Sequence, residues 1–440
     1  MSSIIKQAKC NSESNRSGVI SEALGYAEQR SFVVIITLLI ILMVPSAVFF
    51  LAGTSSMAAG VAISSTAILI FRVLDLIRLG ANRNLYNEVA FALIVVLLLT
   101  IHLIICAMFS EVDIVKSSLS LLITSATIVA CAVVACLFIF STDKQIKSAI
   151  NVAIGFFLIS AILAVLGIQP SSVTATSKPV FPFTEPSHYA GAIIPVLAFL
   201  GVSSVGWKRW VWISVGFGLG ILLENLSMIV GSLVVAACCL SATQMAIFGG
   251  IVIIIVPFLD ITYFLDRINF DPTATTNLSA LVYIQGWEII GQALNKTAGW
   301  GLGFQQLGYT FLNSPTSDLI YRLNGGSDLN LKEGSFVAAK LLSELGIFGF
   351  LLIIAHTYVA GLSYLKLRRF ASEKISMPSA EVLAYCSVYT YIIEMFVRGA
   401  GYFSAAMFLM ISSLFLLAKK RKGGLAKENL KKFNLQTDRH

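Results

Sequence analysis

Charge is what this chain has least of. Only 12% of its 440 residues are Asp, Glu, Lys or Arg, about half of the roughly 25% found in an average soluble domain. Together with 57% hydrophobic residues and a mean hydropathy of +0.85, that shortage excludes an ordinary water-soluble class. Cysteine supplies no framework either. Cys10, Cys106, Cys131, Cys136, Cys238, Cys239 and Cys386 fall in the first tail or within apolar runs, and none sits in a polar loop. Small buried side chains are expected, without a disulfide scaffold or a CxxC metal site. No internal repeat is visible, which weighs against a transporter built from two matching halves. The first 31 residues are polar and of mixed charge, too long and too acidic for the leading region of a cleaved signal peptide. Residues 32–51 are therefore expected to be an uncleaved signal-anchor helix.

What the chain does have is apolar runs of about 20 residues, each long enough to cross roughly 30 Å of hydrocarbon as a helix. The expected fold is an all-α polytopic membrane protein with about 12 transmembrane helices. They are placed near 32–51, 57–79, 88–110, 117–140, 148–168, 188–205, two short ones within 209–240, then 245–263, 335–364, 380–397 and 401–418. Glu224 and Asn225 interrupt the 209–240 run, so a broken or re-entrant pair is expected to meet at that polar turn. With two helices there, roughly 22 of the 31 Lys and Arg fall on the cytoplasmic side. These include Arg78, Arg83, Lys144, Lys147, Lys208, Arg209, Lys366, Arg368, Arg369, Lys374, Lys419, Lys420, Arg421 and Lys422. A single crossing would turn the KLRRF loop and the KKRK tail outward, against the positive-inside rule. The net charge of +8 thus belongs to topology, and membrane lipids, not nucleic acid, are the expected partner.

The expected layout is a cytoplasmic tail at 1–31, nine helices over 32–263 with an outer loop at 169–187, and a large outer loop at 264–334. Three helices over 335–418 and a basic cytoplasmic tail at 419–440 complete it. Loop 169–187, the break at Glu224, loop 264–334 and the turn at Arg398 then share the non-cytoplasmic face. Residues 181–190, FPFTEPSHYA, put Glu185 and His188 where a polar loop enters a helix. Pro186 suits the first helical turn and Thr184 or Glu185 the N-cap. Three residues apart, Glu185 and His188 lie on one face, near the positive end of the dipole. A capping carboxylate beside an interfacial His is the plainer reading.

In the large loop, Leu278, Leu281, Val282, Ile289, Ala293 and Leu294 fall near helical spacing with Tyr283 and Trp287, predicting a helix along the membrane surface. The stretch 299–308, GWGLGFQQLG, fits neither nucleotide-loop pattern and reads as a turn-rich loop. Arg267, Arg322 and Arg398 stand near outer helix ends, positions that mark sites or snorkelling cations. Arg398 is the lone charge of a turn and is followed by Gly399 and Gly401, where a planar guanidinium could take phosphate oxygens two at a time. Arg72, Asp75 and Arg78, one turn apart, suggest a structural ion pair.

The pieces FTEPSHYA before a helix, GWGLGFQQLG in a large loop, EGSFVAAKLLSELGIFGF opening the next helix and FVRGAGYF between the last two helices resemble, in kind and order, the motifs of bacterial O-antigen and exopolysaccharide repeat-unit polymerases, the Wzy family. The resemblance runs from about Phe181 onward; the first five helices match only in hydropathy. It implies a GT-C-like glycosyltransferase of the bacterial inner membrane, with both termini cytoplasmic and a periplasmic active site. It also implies an undecaprenyl-pyrophosphate-linked oligosaccharide donor, no cofactor and no metal, and a chain-length regulator protein as a partner. Breaking a glycosyl–pyrophosphate bond calls for cations on the departing phosphate and a base for the acceptor hydroxyl. Arg398, Arg267 and Arg322 are the candidate pyrophosphate residues, and Glu185 and His188 the candidate bases. Cap hydrogen bonds on Glu185 would make it an orienter and leave His188 as the base; the reverse assignment stays open. Tyr283, Trp300 and Tyr402 are candidate glycan contacts. Two alternatives remain: an O-antigen ligase acting on lipid A core, for which loop 264–334 lacks the expected His and reads Lys332-Glu333-Gly334-Ser335, and a flippase for lipid-linked oligosaccharides.

Overall fold

The computed structural model describes residues 31–52, 57–79, 82–168, 180–255, 262–272, 275–310, 312, 314–326, 331, 334–399 and 401–437, with side chains set aside at 72–79, 82–85, 255 and 422–437. Among the described residues the chain is helical throughout, and its only strand-like pairings are two isolated bridges. The helices are α1 (Ser31–Ala52), α2 (Ala58–Leu79), α3 (Asn82–Cys106), α4 (Ile114–Ile139), α5 (Asp143–Val165), α6 (Pro186–Ser203), α7 (Lys208–Leu222), α8 (Leu226–Cys239) and α9 (Ala242–Ile255). They continue with α10 (Thr262–Ile268), α11 (Leu278–Lys296), α12 (Pro315–Leu323), α13 (Val337–Leu345), α14 (Ile347–Ala371), α15 (Ser379–Thr390), α16 (Ile392–Phe396) and α17 (Ala405–Thr437). Six of these, α1, α4, α5, α6, α14 and residues 86–106 of α3, are long and apolar enough to cross a membrane. The protein is a helical membrane protein. Leu93, Leu97, Leu98 and Ile104 on α3, and Phe350, Leu351 and Ile354 on α14, are about half exposed or more. Such faces suit hydrocarbon, which asks only that the backbone bond to itself.

α6 is the axis of the larger core. Thirteen of its 18 residues are buried, and it packs against α5, α7, α8, α14, α15 and α17. Residues 209–240 form two helices rather than one. Glu224 takes a positive φ of 48°, and Asn225 caps α8 by accepting the Met228 N–H (3.3 Å). The chain reverses there because a polar N-cap stops one helix and starts the next. A second core forms where residues 299–308, α13 and the turn from α16 into α17 meet, around Phe304, Phe336, Tyr391, Met395 and Tyr402.

Two expectations change in detail. The 335–364 run is two helices: Gly346, at φ +55° and ψ −127°, ends α13 and begins α14. The helix expected from Leu278 onward is α11; it packs against α10, α12 and α13 and buries Leu281, Val282, Ile289, Ile290 and Ala293. The last crossing continues as helix α17 to Thr437. The Arg72, Asp75 and Arg78 side chains lie outside the described residues. At the end of the bundle carrying the α14 carboxyl terminus, basic side chains bind helix-end carbonyls. Arg209 donates to Ser204 (2.6 Å) and Ala371, and Arg368 donates to Ala237 (3.2 Å). Cations there complement helix carboxyl ends.

Candidate active site

The entry to α6 is set from behind by aromatic packing. Phe183 stacks on Phe157 of α5 (5.9 Å) and meets Tyr189 edge-on (5.5 Å), while the Tyr189 hydroxyl donates to the Phe157 carbonyl (3.0 Å). Val180 and Phe183 exchange backbone hydrogen bonds, so the loop folds back and delivers Glu185 to the N-cap position with Pro186 at N1. The Glu185 side chain makes no capping bond. Its carboxylate instead accepts from the Ser187 hydroxyl (2.9 Å) and lies 3.4 Å from Nη2 of Arg398. The pair is partly open, with Arg398 23% and Glu185 35% exposed at the side chain. Burial works to raise the Glu185 carboxyl, but the Arg398 guanidinium, then His188 and the Ser187 hydroxyl, outweigh it and hold it at about 2. That makes Glu185 a fixed anion and a poor base.

His188 stands one turn into α6. Its Nδ1 is hydrogen-bonded to the Thr184 hydroxyl (3.2 Å), and its ring meets Phe49 of α1 edge-on at 5.9 Å. Nε2 has no hydrogen-bond partner among the described residues. One nitrogen therefore orients the ring and the other is left to take or give a proton.

Three distant segments come together around this helix end. The Asn225 amide, in the α7–α8 turn, donates to the Pro186 carbonyl. The turn after α16 brings Arg398 to Glu185, and its backbone is pinned by Gly399 N–H to the Ser335 carbonyl (3.1 Å) and by the Tyr283 hydroxyl to the Phe396 carbonyl (3.2 Å). From α10, Arg267 donates to the Ser279 hydroxyl (3.0 Å) and lies over the Tyr263 ring (4.8 Å), with its Nε buried and unpartnered. Burial lowers the Arg267 pKa from its ordinary value, and Tyr263, Arg398, Glu185 and Glu224 all act on it electrostatically. Arg267, Arg398, Glu185, Glu224 and Tyr263 are thus one electrostatic cluster, in which the guanidiniums remain charged.

The other named residues sit elsewhere. Arg322 is exposed in the last turn of α12, and no described contact links it to this cluster. Trp300 gives its carbonyl to Nε2 of His102 on α3 (2.9 Å) and packs on Phe348 of α14 (5.9 Å). Tyr402 is 7% exposed, stacked on Phe304 (5.5 Å) and capped by the Lys340 ammonium (5.3 Å); it is core. Tyr283 joins Phe270, Trp287 and Phe336 in an aromatic group beside the Arg398 turn, with Trp287 51% and Phe270 55% exposed.

Sequence reasoning passed over Ser187, Tyr263 and Glu394, and gave Thr184 only as a candidate cap. Glu394, four residues before Arg398, accepts from the Ser404 hydroxyl (2.6 Å), closing the turn that carries Arg398. Its Oε1 fills the space beside Gly191, where a Cβ would come within 2.5 Å. A carboxylate inside the apolar run YIIEMF was a signal in plain view. Compared with models of protein families, with curated proteins and with solved structures, the chain matches none. No group of three or more His, Cys, Asp or Glu able to hold a metal ion occurs among the described residues.

Proposed function

We propose that this chain is a GT-C-like glycosyltransferase with twelve crossings of the bacterial inner membrane. It polymerises a surface polysaccharide on the periplasmic face, transferring the growing glycan from undecaprenyl pyrophosphate to the next lipid-linked repeat unit. The observation that carries the reading is the half-open Glu185–Arg398 pair at the start of α6, with the free Nε2 of His188 one turn away. A guanidinium held by a single carboxylate at 3.4 Å exchanges it readily for a phosphate, which offers bidentate bonds. In the proposed reaction, the acceptor hydroxyl gives its proton to Nε2 of His188 as its oxygen attacks the anomeric carbon. The bond from that carbon to the pyrophosphate oxygen breaks, and the departing electron pair is stabilised by Arg398 and Arg267. Glu185 orients Arg398 before the donor arrives. Pyrophosphate is a good enough leaving group to need no general acid. A chain-length regulator is the proposed protein partner.

The test is the glycan pattern after gene deletion. A polymerase leaves single capped repeat units on lipid A, whereas loss of a ligase or flippase leaves none, and that outcome would overturn the reading. Reporter fusions after Lys147, Arg209, Lys374 and Lys422 are expected to report cytoplasm, and fusions near Ser171 and Asn313 periplasm. A cytoplasmic signal at Asn313 would separate loop 264–334 from the donor.

A further inference from the structure

The segment that carries Arg398 touches α6 in two places. At the outer one the Arg398 guanidinium meets Glu185, and both side chains are partly exposed. The inner one is closed. Glu394, on α16, is 6% exposed, and its Oε2 accepts from the Ser404 hydroxyl (2.6 Å). Ser404, just before α17, is buried too and accepts the Met407 N–H (3.0 Å), so its hydroxyl is committed both as donor and as acceptor. The other Glu394 oxygen seats against α6 at Gly191. The three atoms nearest the Cβ position of Gly191 all belong to Glu394: Oε1 at 2.5 Å, Cδ at 3.5 Å and Cγ at 3.7 Å. Gly191 is thus open on the side where this carboxylate sits, one turn beyond His188 on the same helix. Between Glu394 and Ser404, ten residues apart, runs the turn with Arg398. Its backbone is held as well: the Arg398 N–H bonds the Ile393 carbonyl (3.1 Å), and a Cβ on Gly399 would lie 2.7 Å from both the Glu394 carbonyl and Val337 Cγ2. An ionisable side chain buried at such a junction is expensive and points to a task.

We infer that Glu394 is a positioning residue: with Ser404 and the opening at Gly191 it clasps the α16–α17 turn to α6, so that Arg398 keeps its place when its guanidinium leaves Glu185 for a phosphate. The inference rests on the donor reading above. The outer pair is the contact that opens, since the phosphate takes over the bonds of the guanidinium. Without a second anchor its opening would release the turn, and a displacement of about 1 Å near reacting groups can cost about 10²-fold in rate. The inner contact has no such exchange to make, because it is buried and its donor and acceptor are paired.

Glu394→Met keeps most of the volume and removes the acceptor, whereas Glu394→Gln keeps an oxygen for Ser404. Gly191→Ala retains Glu394 but displaces its Oε1, while alanine favours the helix. The first measurement is hydrogen exchange of the Val397, Arg398 and Gly399 amides in the detergent-purified full chain. Exchange is expected to rise by more than about tenfold in Glu394→Met and Gly191→Ala, and to stay within about twofold of the wild type in Glu394→Gln and Glu185→Gln. The second is single-turnover polymerisation, per folded molecule, of the undecaprenyl-pyrophosphate-linked repeat unit extracted from the gene-deletion strain. Glu394→Met is expected to lower it about tenfold when Arg398 is present and less than about twofold in the Arg398→Ala background, where no guanidinium is left to position. Wild-type exchange in both Glu394→Met and Gly191→Ala overturns the clasp. A rise in Glu185→Gln equal to that in Glu394→Met makes the outer pair the anchor and overturns it too. Equal losses of turnover with and without Arg398 overturn the positioning role, because Glu394 would then act on the fold at large. If the exchange results hold and the wild type does not extend the extracted lipid, the clasp stands and the polymerase reading falls.

Discussion

Two glycine-rich stretches look alike in sequence and behave oppositely in the fold. In 299–308 the glycines serve close packing: a Cβ on Gly301 would lie 2.5 Å from the Glu344 carbonyl, and the Leu302 and Gly303 N–H groups bond the Ser343 and Glu344 carbonyls (2.8 Å each). Its carboxylate is saturated. Glu344 is fully buried, accepts the Gln305 and Leu307 N–H groups (2.9 and 3.0 Å), and lies 3.8 Å from Lys340. Gln306 completes the seal with bonds to Asp113 and Ser117 of the α4 entry. In the turn at 398–402 two glycines follow an arginine whose carboxylate partner is partly exposed and held by one guanidinium nitrogen, and the neighbouring Ser335 hydroxyl has no partner among the described residues. Glycine content does not separate a loop that binds from a loop that packs. The state of the hydrogen-bonding groups around it does.

Substitutions can pull this contrast apart, and the sharpest is His188→Ala. It is expected to lower polymerisation by about 10²–10⁴-fold with normal protein levels, as loss of a general base does; near-normal chains on a lipopolysaccharide gel would return the α6 entry to a capping role. Arg398→Lys keeps the charge and loses the fork, so a drop of about 10²-fold is expected. The same assay on Arg398→Ala checks it, since normal polymerisation there removes the cation from the reaction. Glu344→Ala should act differently, through stability. Two buried amides and Lys340 lose their acceptor, at a cost of about 3–5 kcal/mol, read as a lower melting temperature with normal turnover per folded molecule. A turnover loss larger than the folded fraction explains would place Glu344 in the reaction.

A pH series sharpens the Glu185 half. Its carboxyl is held at about 2 when folded, below the ordinary value of 4.5. The pair's contribution to stability is therefore fully present above about pH 4.5 and is lost as pH falls through about 2. Glu185 stays ionised throughout pH 5–8, so Glu185→Gln is expected to lower activity without moving the acid limb of its pH profile. A displaced limb would make Glu185 the titrating base. The smallest effect is expected at Arg322→Ala, within about 0.5 kcal/mol in stability and twofold in activity, because this exposed residue is outside the cluster.

The helical class, the reversal at Glu224 and the helix start at Pro186 were legible because each rests on local chemistry: apolar run length, a polar N-cap, and a proline where no N–H is needed. The split at Gly346 was not, since Leu345 and Ile347 keep the run apolar across it. Candidate arginines were legible as a set, but not their sorting. Arg398 meets Glu185, Arg267 joins their cluster and Arg322 stays outside it, which no spacing in the chain encodes. The Glu185 side chain, expected to cap α6, turns to Ser187 and Arg398 instead, because a charged partner outcompetes backbone amides.

By itself, the sequence determined that this protein lives in a membrane and is built of helices, because hydrocarbon leaves a backbone few other ways to satisfy its own hydrogen bonds. It also determined where polar residues interrupt those helices. Only the tertiary structure decided which interruptions share an end of the bundle, and which of their charges and glycines remain available. Glu185 and Arg398 are 213 residues apart in the chain. Their meeting depends on how α6, α8, α15 and α17 pack, and that packing is a property of the assembled core and of no single segment.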